Sequence, residues 1–482
     1  MNKFTEVFNQ PSSPDALTEN NALSFSTTGD KALDFFGKSG SLQGDSDSYM
    51  QFFKDAYYEN PKLATVLAFY SRDVRGGQGQ RENFRQALTW LFENDKAIFD
   101  KIASLVPEYG RWDDLLHLFD LDVVAGLIFG QLQSDSTSEH PSLLAKWLPS
   151  ENASSAKSRK LALKISNKFG FSPKYYRKLL SKLRAKIKIV ESQMSAGKWN
   201  EVEYSRVPSK ANLLYRKAFA KHDPIRYNEF IAAAAKGEVK INSGTLYPHD
   251  LVHKAKTEYS HAVDALWNQL PDFMDTDENI MALVDVSGSM EDMIKGTSVS
   301  RMDVSIGLGI YFAEHNKGAF KNLVISFTSK PEFIELTAQT LKGKIKNILD
   351  KGVGYDTNLE AAIVAILERA KFNKVPAFDM PTKLVVITDM QFNEVGDITN
   401  YQNLVKLYAE SGYELPDVVF WNVGGNTQES PVQKKDQRVA LVSGFSPSIL
   451  AYVLNGKLKS PVELMLEVAN SERYAKVTEA IK

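Results

Sequence analysis

The 482-residue chain is 43% hydrophobic and 24% charged, with a net charge of -1. These proportions suit a soluble protein of two or three domains, since the length is too great for one core. The absence of cysteine excludes disulfide scaffolds, thiolate zinc fingers, iron–sulfur clusters and thiol nucleophiles. No run approaches the roughly 18 apolar residues of a membrane-spanning helix. The opening MNKFTEVFNQPSSPD lacks the apolar core of a secretion signal, so a cytoplasmic location without membrane contact is expected.

Charge is sorted along the chain. Residues 1–150 hold 13 basic and 21 acidic side chains, residues 151–270 hold 23 and 10, and residues 271–482 hold 22 and 28. The densest stretch, 152–190, has twelve Lys and Arg and no Asp or Glu. A one-sign middle between acidic ends points to an anionic partner.

The first 48 residues, rich in Ser, Asn, Asp and Gly, read as an extended arm. From 49 to about 270 the apolar spacing is helical, over Lys62–Arg72, Arg81–Asn94, Lys96–Val106, Trp112–Phe119 and Ser209–Ala220. No strict period repeats, so an all-α array of irregular, HEAT-like repeats is expected. Within it, RDVRGGQGQREN breaks the helical pattern with Gly76, Gly77 and Gly79 among Arg72, Arg75 and Arg81. The segment lacks the nucleotide-binding pattern G-x-x-x-x-G-K-[ST]; it is either a phosphate-contacting turn or a tight inter-helix turn. YGRWDDLL reads as a helix start, with Trp112 packing in the core and Asp113 and Asp114 near the first turn.

In the basic stretch, Tyr176, Leu179, Leu180, Leu183, Ile187 and Val190 share one helical face. Lys174, Arg177, Lys178, Lys182, Arg184, Lys186 and Lys188 spread over the rest, with Arg159 and Lys160 upstream. Like charges at i, i+4 repel, so a positive surface of this kind suits a phosphate backbone. Tyr175, Tyr176, Trp199, Tyr204 and Tyr215 are candidates for stacking on unpaired bases.

PDFMDTDEN (271–279) reads as an acidic linker. Beyond it, short apolar runs at 281 (MALV), 322 (NLVISF), 383 (KLVVIT) and 417 (DVVFWNV) alternate with amphipathic helices. One such helix carries Met302, Ile306, Ile310 and Ala313, and another Leu359, Ala362, Ile363, Ile366, Leu367 and Ala370. That rhythm predicts a doubly wound parallel α/β domain over 280–482. The strand-end sequence VDVSGSMED sets Asp285, Ser287 and Ser289 in D-x-S-x-S spacing. Thr357 precedes a helix, and Asp389 ends a later strand. Ligands bind at the carboxyl edge of such sheets. Two carboxylates and three hydroxyls there are hard donors suited to Mg²⁺ or Mn²⁺.

This set resembles the metal-ion-dependent adhesion site of von Willebrand factor A domains. The resemblance implies direct ligation by Ser287, Ser289 and Thr357, with Asp285 and Asp389 acting through water. Asp356 and Met390 stand where that family commonly has glycine; Asp356 either adds charge to the site or caps the next helix. RDVRGGQGQR, YGRWDDLL, KWLP at 146 and YSRVPSKANLLYRKAF at 204, followed by such a domain, resemble an uncharacterised family of plants, fungi and large viruses. The architecture is similar to the Ro autoantigen and its bacterial relatives, the TROVE proteins. That similarity implies a helical ring closed by the A-type domain, which takes single-stranded RNA ends in a basic hole and structured RNA on its outer surface.

Enzymatic alternatives have little support. YPHDLVH places His249 and His253 at i, i+4, but Asp250 is a methylene shorter than the glutamate of H-E-x-x-H and no third ligand is evident. No G-x-S-x-G elbow occurs, and no second carboxylate cluster supports a two-metal site. The expectation is a monomeric, non-catalytic RNA-binding protein. The alternative is a scaffold in which the metal captures a partner's carboxylate and RNA plays no part.

Overall fold

The structure is a computed structural model. It describes residues 15–17, 23–274, 278–328, 330–351, 359–390, 401–424, 430–431, 434, 436, 438–453, 458 and 460–482. The chain forms two compact units, each assembled from three stretches. One comprises residues 1–64, 247–259 and 272–469; the other comprises 65–246, 260–271 and 470–482. The break between 271 and 272 falls at the start of the expected 271–279 linker, while residues 1–64 and 247–259 join the sheet unit and 470–482 the helical one.

The first unit is built on a sheet. A small antiparallel ribbon, β1 (Ala16–Leu17) with β2 (Leu23–Ser24), precedes it. The main strands are β3 (Ile280–Val284), β4 (Leu323–Ser326), β5 (Phe333–Glu335), β6 (Lys383–Thr388), β7 (Asp417–Asn422) and β8 (Val439–Ser443). Their order is β5-β4-β3-β6-β7-β8, parallel throughout except for the β4–β5 edge pair.

β3, β4, β6 and β7 are buried along their whole length. Strands covered on both faces need no polar alternation, which explains their continuous apolar runs. On one face Met281, Leu283, Ile325, Leu384 and Val386 share a core with Ala362, Ile363, Ile366 and Leu367 of the Leu359–Asn373 helix, and with Tyr408 of the Tyr401–Glu410 helix. On the other lies the Arg301–His315 helix. A Cβ at its Gly309 would come within 2.4 Å of a Val284 methyl, so only glycine allows that approach. The Pro248–Thr257 helix packs on this helix in turn: a Cβ at Gly307 would meet His249 N at 3.0 Å. Arg301 through Ala313 are therefore all buried, and the single apolar face expected there is replaced by burial all round.

Residues 31–48 are not part of an extended arm. The helices Lys31–Ser39 and Ser46–Glu59 belong to the sheet unit, with Phe35 against Tyr49 at 5.1 Å between ring centroids. Gly40 N–H donates to Ser443 Oγ (3.1 Å), and Gly37 lies close to Leu441. This segment thus covers β8. Asp34, although buried, accepts hydrogen bonds from Thr28 N and Oγ1, each at 2.8 Å, which offsets the cost of its burial.

The second unit is helical. Its segments include Glu82–Asn94, Lys96–Ile102, Asp122–Thr137, Ala156–Lys168, Pro173–Ile187, Ser209–His222 and Pro224–Ala235. Trp112–Phe119 is not one helix but two 3-10 turns, Trp112–Asp114 and Leu116–Leu118. The C-terminal residues also belong here. Arg473 pairs with Asp73 through Nε (2.7 Å) and Nη2 (3.0 Å), and Tyr474 stacks on Tyr109 at 5.7 Å. Among the described residues, no helix is long and apolar enough to cross a membrane.

Candidate metal centre and basic surface

Register builds the candidate metal site. β3 and β6 pair with Val284 opposite Ile387, and Asp285 N–H continues the ladder to Ile387 O. Asp285 and Thr388 therefore leave the sheet at the same carboxyl edge, where Thr388 Oγ1 donates to Asp285 Oδ2 (2.7 Å). The other oxygen, Oδ1, accepts from Ser287 N–H (2.9 Å), which folds VSGSM back over the strand end. Ser287 and Ser289 are half-buried, with their hydroxyl oxygens 3.3 Å apart. Asp389 follows β6, and Gly424 follows β7 so closely that a Cβ there would lie 2.4 Å from the Asp389 Cβ. Burial pushes the Asp285 carboxyl up to about 6, with Asp389 adding to the rise, against the opposing pull of Ser287 and Thr388.

These residues fit a small divalent ion. Neighbouring ligands of an octahedral ion at about 2.1 Å lie about 3 Å apart, close to the serine oxygen separation. Ser287 and Ser289 would hold the ion directly, with Asp285 and Asp389 behind them. Thr357 and Asp356 lie outside the described residues. One group was not foreseen from sequence: Arg301, whose Nη1 lies 3.1 Å from Asp389 Oδ2. Its neighbours Ser300 and Asp303 form a capping box that was visible in the sequence, but its approach to Asp389 depends on the folded sheet.

His249 and His253 form no metal pair. His253 Nδ1 lies 3.2 Å from Asp303 Oδ2, and its Nε2 lies 3.2 Å from Ser298 Oγ. Among the described residues, no group of three or more His, Asp or Glu could hold a metal.

The RDVRGGQGQR segment is a compact inter-helix turn. Gln78 N–H returns to Tyr70 O and Gln80 N–H to Ser71 O, and a Cβ at Gly77 would overlap Tyr70 O at 1.9 Å. Arg72 is 4% exposed and pairs with the fully buried Asp114 at 2.7 Å; this corrects its assignment to RNA contact, because no external phosphate can reach it. Arg75 and Arg81 remain exposed. Trp112 is half-buried, so it is not the core residue expected; it lines a groove of about 550 Å³ with Pro107, Val123, Leu127 and Gly130.

Ala156–Lys168 and Pro173–Ile187 are successive helices joined through Gly170 at φ +66°. Tyr176, Leu180 and Leu183 form the buried face of the second. Arg184 is likewise corrected: its three nitrogens bond to Ala145 O, Ser150 Oγ and Leu148 O. Arg177 pairs with Glu151, Lys188 with Glu203, Lys186 binds Ser138 O, and Arg159 binds Ala153 O, all from exposed positions. Lys157, Lys160, Lys174, Lys178 and Lys182 are exposed with no acidic partner among the described residues. Of the five aromatics, Tyr175 is the exposed one, at 53%. Tyr176 and Tyr204 are buried, and Trp199 stacks on His222 at 4.4 Å.

Fold and site together define a protein with a helical unit and a mixed α/β unit, the latter carrying hydroxyls and carboxylates at the carboxyl edge of its parallel strands. Residues 279–481 match the domain of unknown function DUF7788, and residues 18–132 and 169–278 match the domain of unknown function DUF2828. The chain is 29% identical over 504 residues to the uncharacterised protein L728 of Acanthamoeba polyphaga mimivirus, covering 94% of this chain and 87% of that protein. A comparison with the crystal structure of the Deinococcus radiodurans Ro (RSR) protein covers 92% of this chain and 99% of that one, with 12% identity and a TM-score of 0.34.

Proposed function

We propose that this is a non-catalytic, Ro-like RNA-binding protein. The basic helices Ala156–Lys168 and Pro173–Ile187 contact the phosphate backbone, and the sheet edge holds Mg²⁺ or Mn²⁺. The observation that carries the reading is the set of five exposed lysines without acidic partners among the described residues. Lys174, Lys178 and Lys182 recur at i, i+4, i+8 along one side of a helix, where like charges repel unless an anion covers them. Beside them Tyr175 offers an exposed ring on which a base could stack.

When bound, the metal supplies an electrophilic centre for an oxygen ligand from outside the chain. Serine ligands add no charge, so such an ion keeps its attraction for a partner carboxylate or phosphate. That donor chemistry favours a second reading, a metal-dependent protein scaffold.

The two readings separate by lesion. Lys174, Lys178 and Lys182 changed together to Glu should abolish RNA binding and leave Mn²⁺ binding intact. Ser287→Ala with Ser289→Ala should do the reverse. Unchanged RNA affinity in the folded lysine variant contradicts the RNA reading.

A further inference from the structure

We propose that Arg301 is a built-in counter-cation of the metal centre: it holds Asp389 when no ion is bound and keeps the affinity for divalent ions low. This rests on the metal reading above. Asp389 is 2% exposed, and a carboxylate at that depth needs a compensating charge. Arg301 Nη1, on a residue itself 7% exposed, supplies one at 3.1 Å. Its backbone is fixed, because Ser300 and Asp303 cap the helix it begins and its N–H donates to Asp292 O at 3.0 Å. A guanidinium does not deprotonate in proteins, so proton loss cannot remove this charge when a metal arrives.

Within the buried part of the site, two carboxylates and one guanidinium sum to -1, against -2 for the carboxylates alone, so the guanidinium weakens the attraction for a dication. The arginine also has a second partner at the rim. Asp292 Oδ2 lies 3.6 Å from the same Nη1 and is 63% exposed. As an ion takes up Asp389, the guanidinium keeps Asp292, so the competition is built in without stranding a buried cation.

The test is calorimetric titration of the full-length protein with Mn²⁺, with melting temperatures read in parallel, for wild type, Arg301→Gln, Arg301→Lys and the Ser287→Ala/Ser289→Ala pair. The expected result is at least tenfold tighter Mn²⁺ binding in Arg301→Gln, and affinity within about threefold of wild type in Arg301→Lys. Arg301→Gln should also melt lower without ion and gain more on adding Mn²⁺. If it is unfolded without ion, refolding with Mn²⁺ supports the proposal, and failure to refold at saturating Mn²⁺ overturns it. If the serine pair abolishes binding yet Arg301→Gln binds no tighter than wild type, the metal centre stands and the role of Arg301 is overturned. Mn²⁺ binding that ignores the serines, or is absent from wild type and Arg301→Gln alike, overturns the metal reading and this proposal with it.

Discussion

Asp114 is a buried acid whose role is structural. Its carboxylate accepts from Arg72 Nε (2.8 Å), Arg85 Nε (3.0 Å) and the Arg111 backbone N–H (2.9 Å) while fully buried. Replacing one partner of such a group strands the others. Asp114→Ala should therefore lower stability by about 3–5 kcal/mol, seen as a shifted urea midpoint, with RNA affinity per folded molecule unchanged. Asp285 behaves differently. Its folded value of about 6 lies above the ordinary carboxylate value near 3.9. Between about pH 4 and 6 the folded state binds more protons than the unfolded one, so the metal-free protein should lose stability as pH rises through that window. The wild-type urea midpoint minus that of Asp285→Asn should fall across the window, which separates Asp285 from carboxylates such as Glu82 that are shifted the other way; a difference that rises contradicts the assignment.

At the scale of single elements, the lysine stripe on Pro173–Ile187 sets the proposed phosphate contact against stability. Like charges at i, i+4 cost about 0.2–0.5 kcal/mol per pair. Lys178→Glu should leave the melting temperature equal or slightly higher, yet weaken RNA binding. A variant that melts lower and binds normally would make the stripe an ordinary solvated face. The strands differ in how plainly the sequence announces them. β3, β4, β6 and β7 are apolar along their length because both faces are covered, and each was legible as an uninterrupted run. β5 has three residues with one buried, and it exists only because β4 offers an antiparallel edge. Lys31–Ser39 buries Asp34, Lys38 and Ser39 against expectation, so composition alone disguised a helix as an arm. The D-x-S-x-S turn and Asp389 could be read from sequence because they are strand-end signatures. Arg301 could not, since its contact joins residues 88 positions apart.

At the scale of the whole molecule, the sorting of charge along the chain survives folding only in part. The basic stretch lies within the helical unit, but Arg184 is consumed by carbonyls there, as Arg72, outside that stretch, is by Asp114. What remains exposed is chiefly lysine, which suits phosphate contact as a set of point charges more than a bidentate code for bases. Affinity should accordingly be salt-dependent and sequence-tolerant. The division into units also shows that neither one is a contiguous stretch of chain: residues 1–64 belong with the sheet, and 470–482 with the helices. Removing 470–482 deletes the Arg473–Asp73 pair and the Tyr474–Tyr109 stack, so it should lower the melting temperature of the helical unit.

The most direct measurement is equilibrium binding of nuclease-treated, full-length protein to a structured RNA with a single-stranded 3′ tail, titrated across salt. Several lysine–phosphate contacts predict a steep log–log slope, about -0.7 per neutralised phosphate on a single strand. Changing Lys174, Lys178 and Lys182 to Glu should flatten that slope. A folded wild-type protein that binds no RNA at low salt, or a slope indifferent to those three changes, contradicts the account.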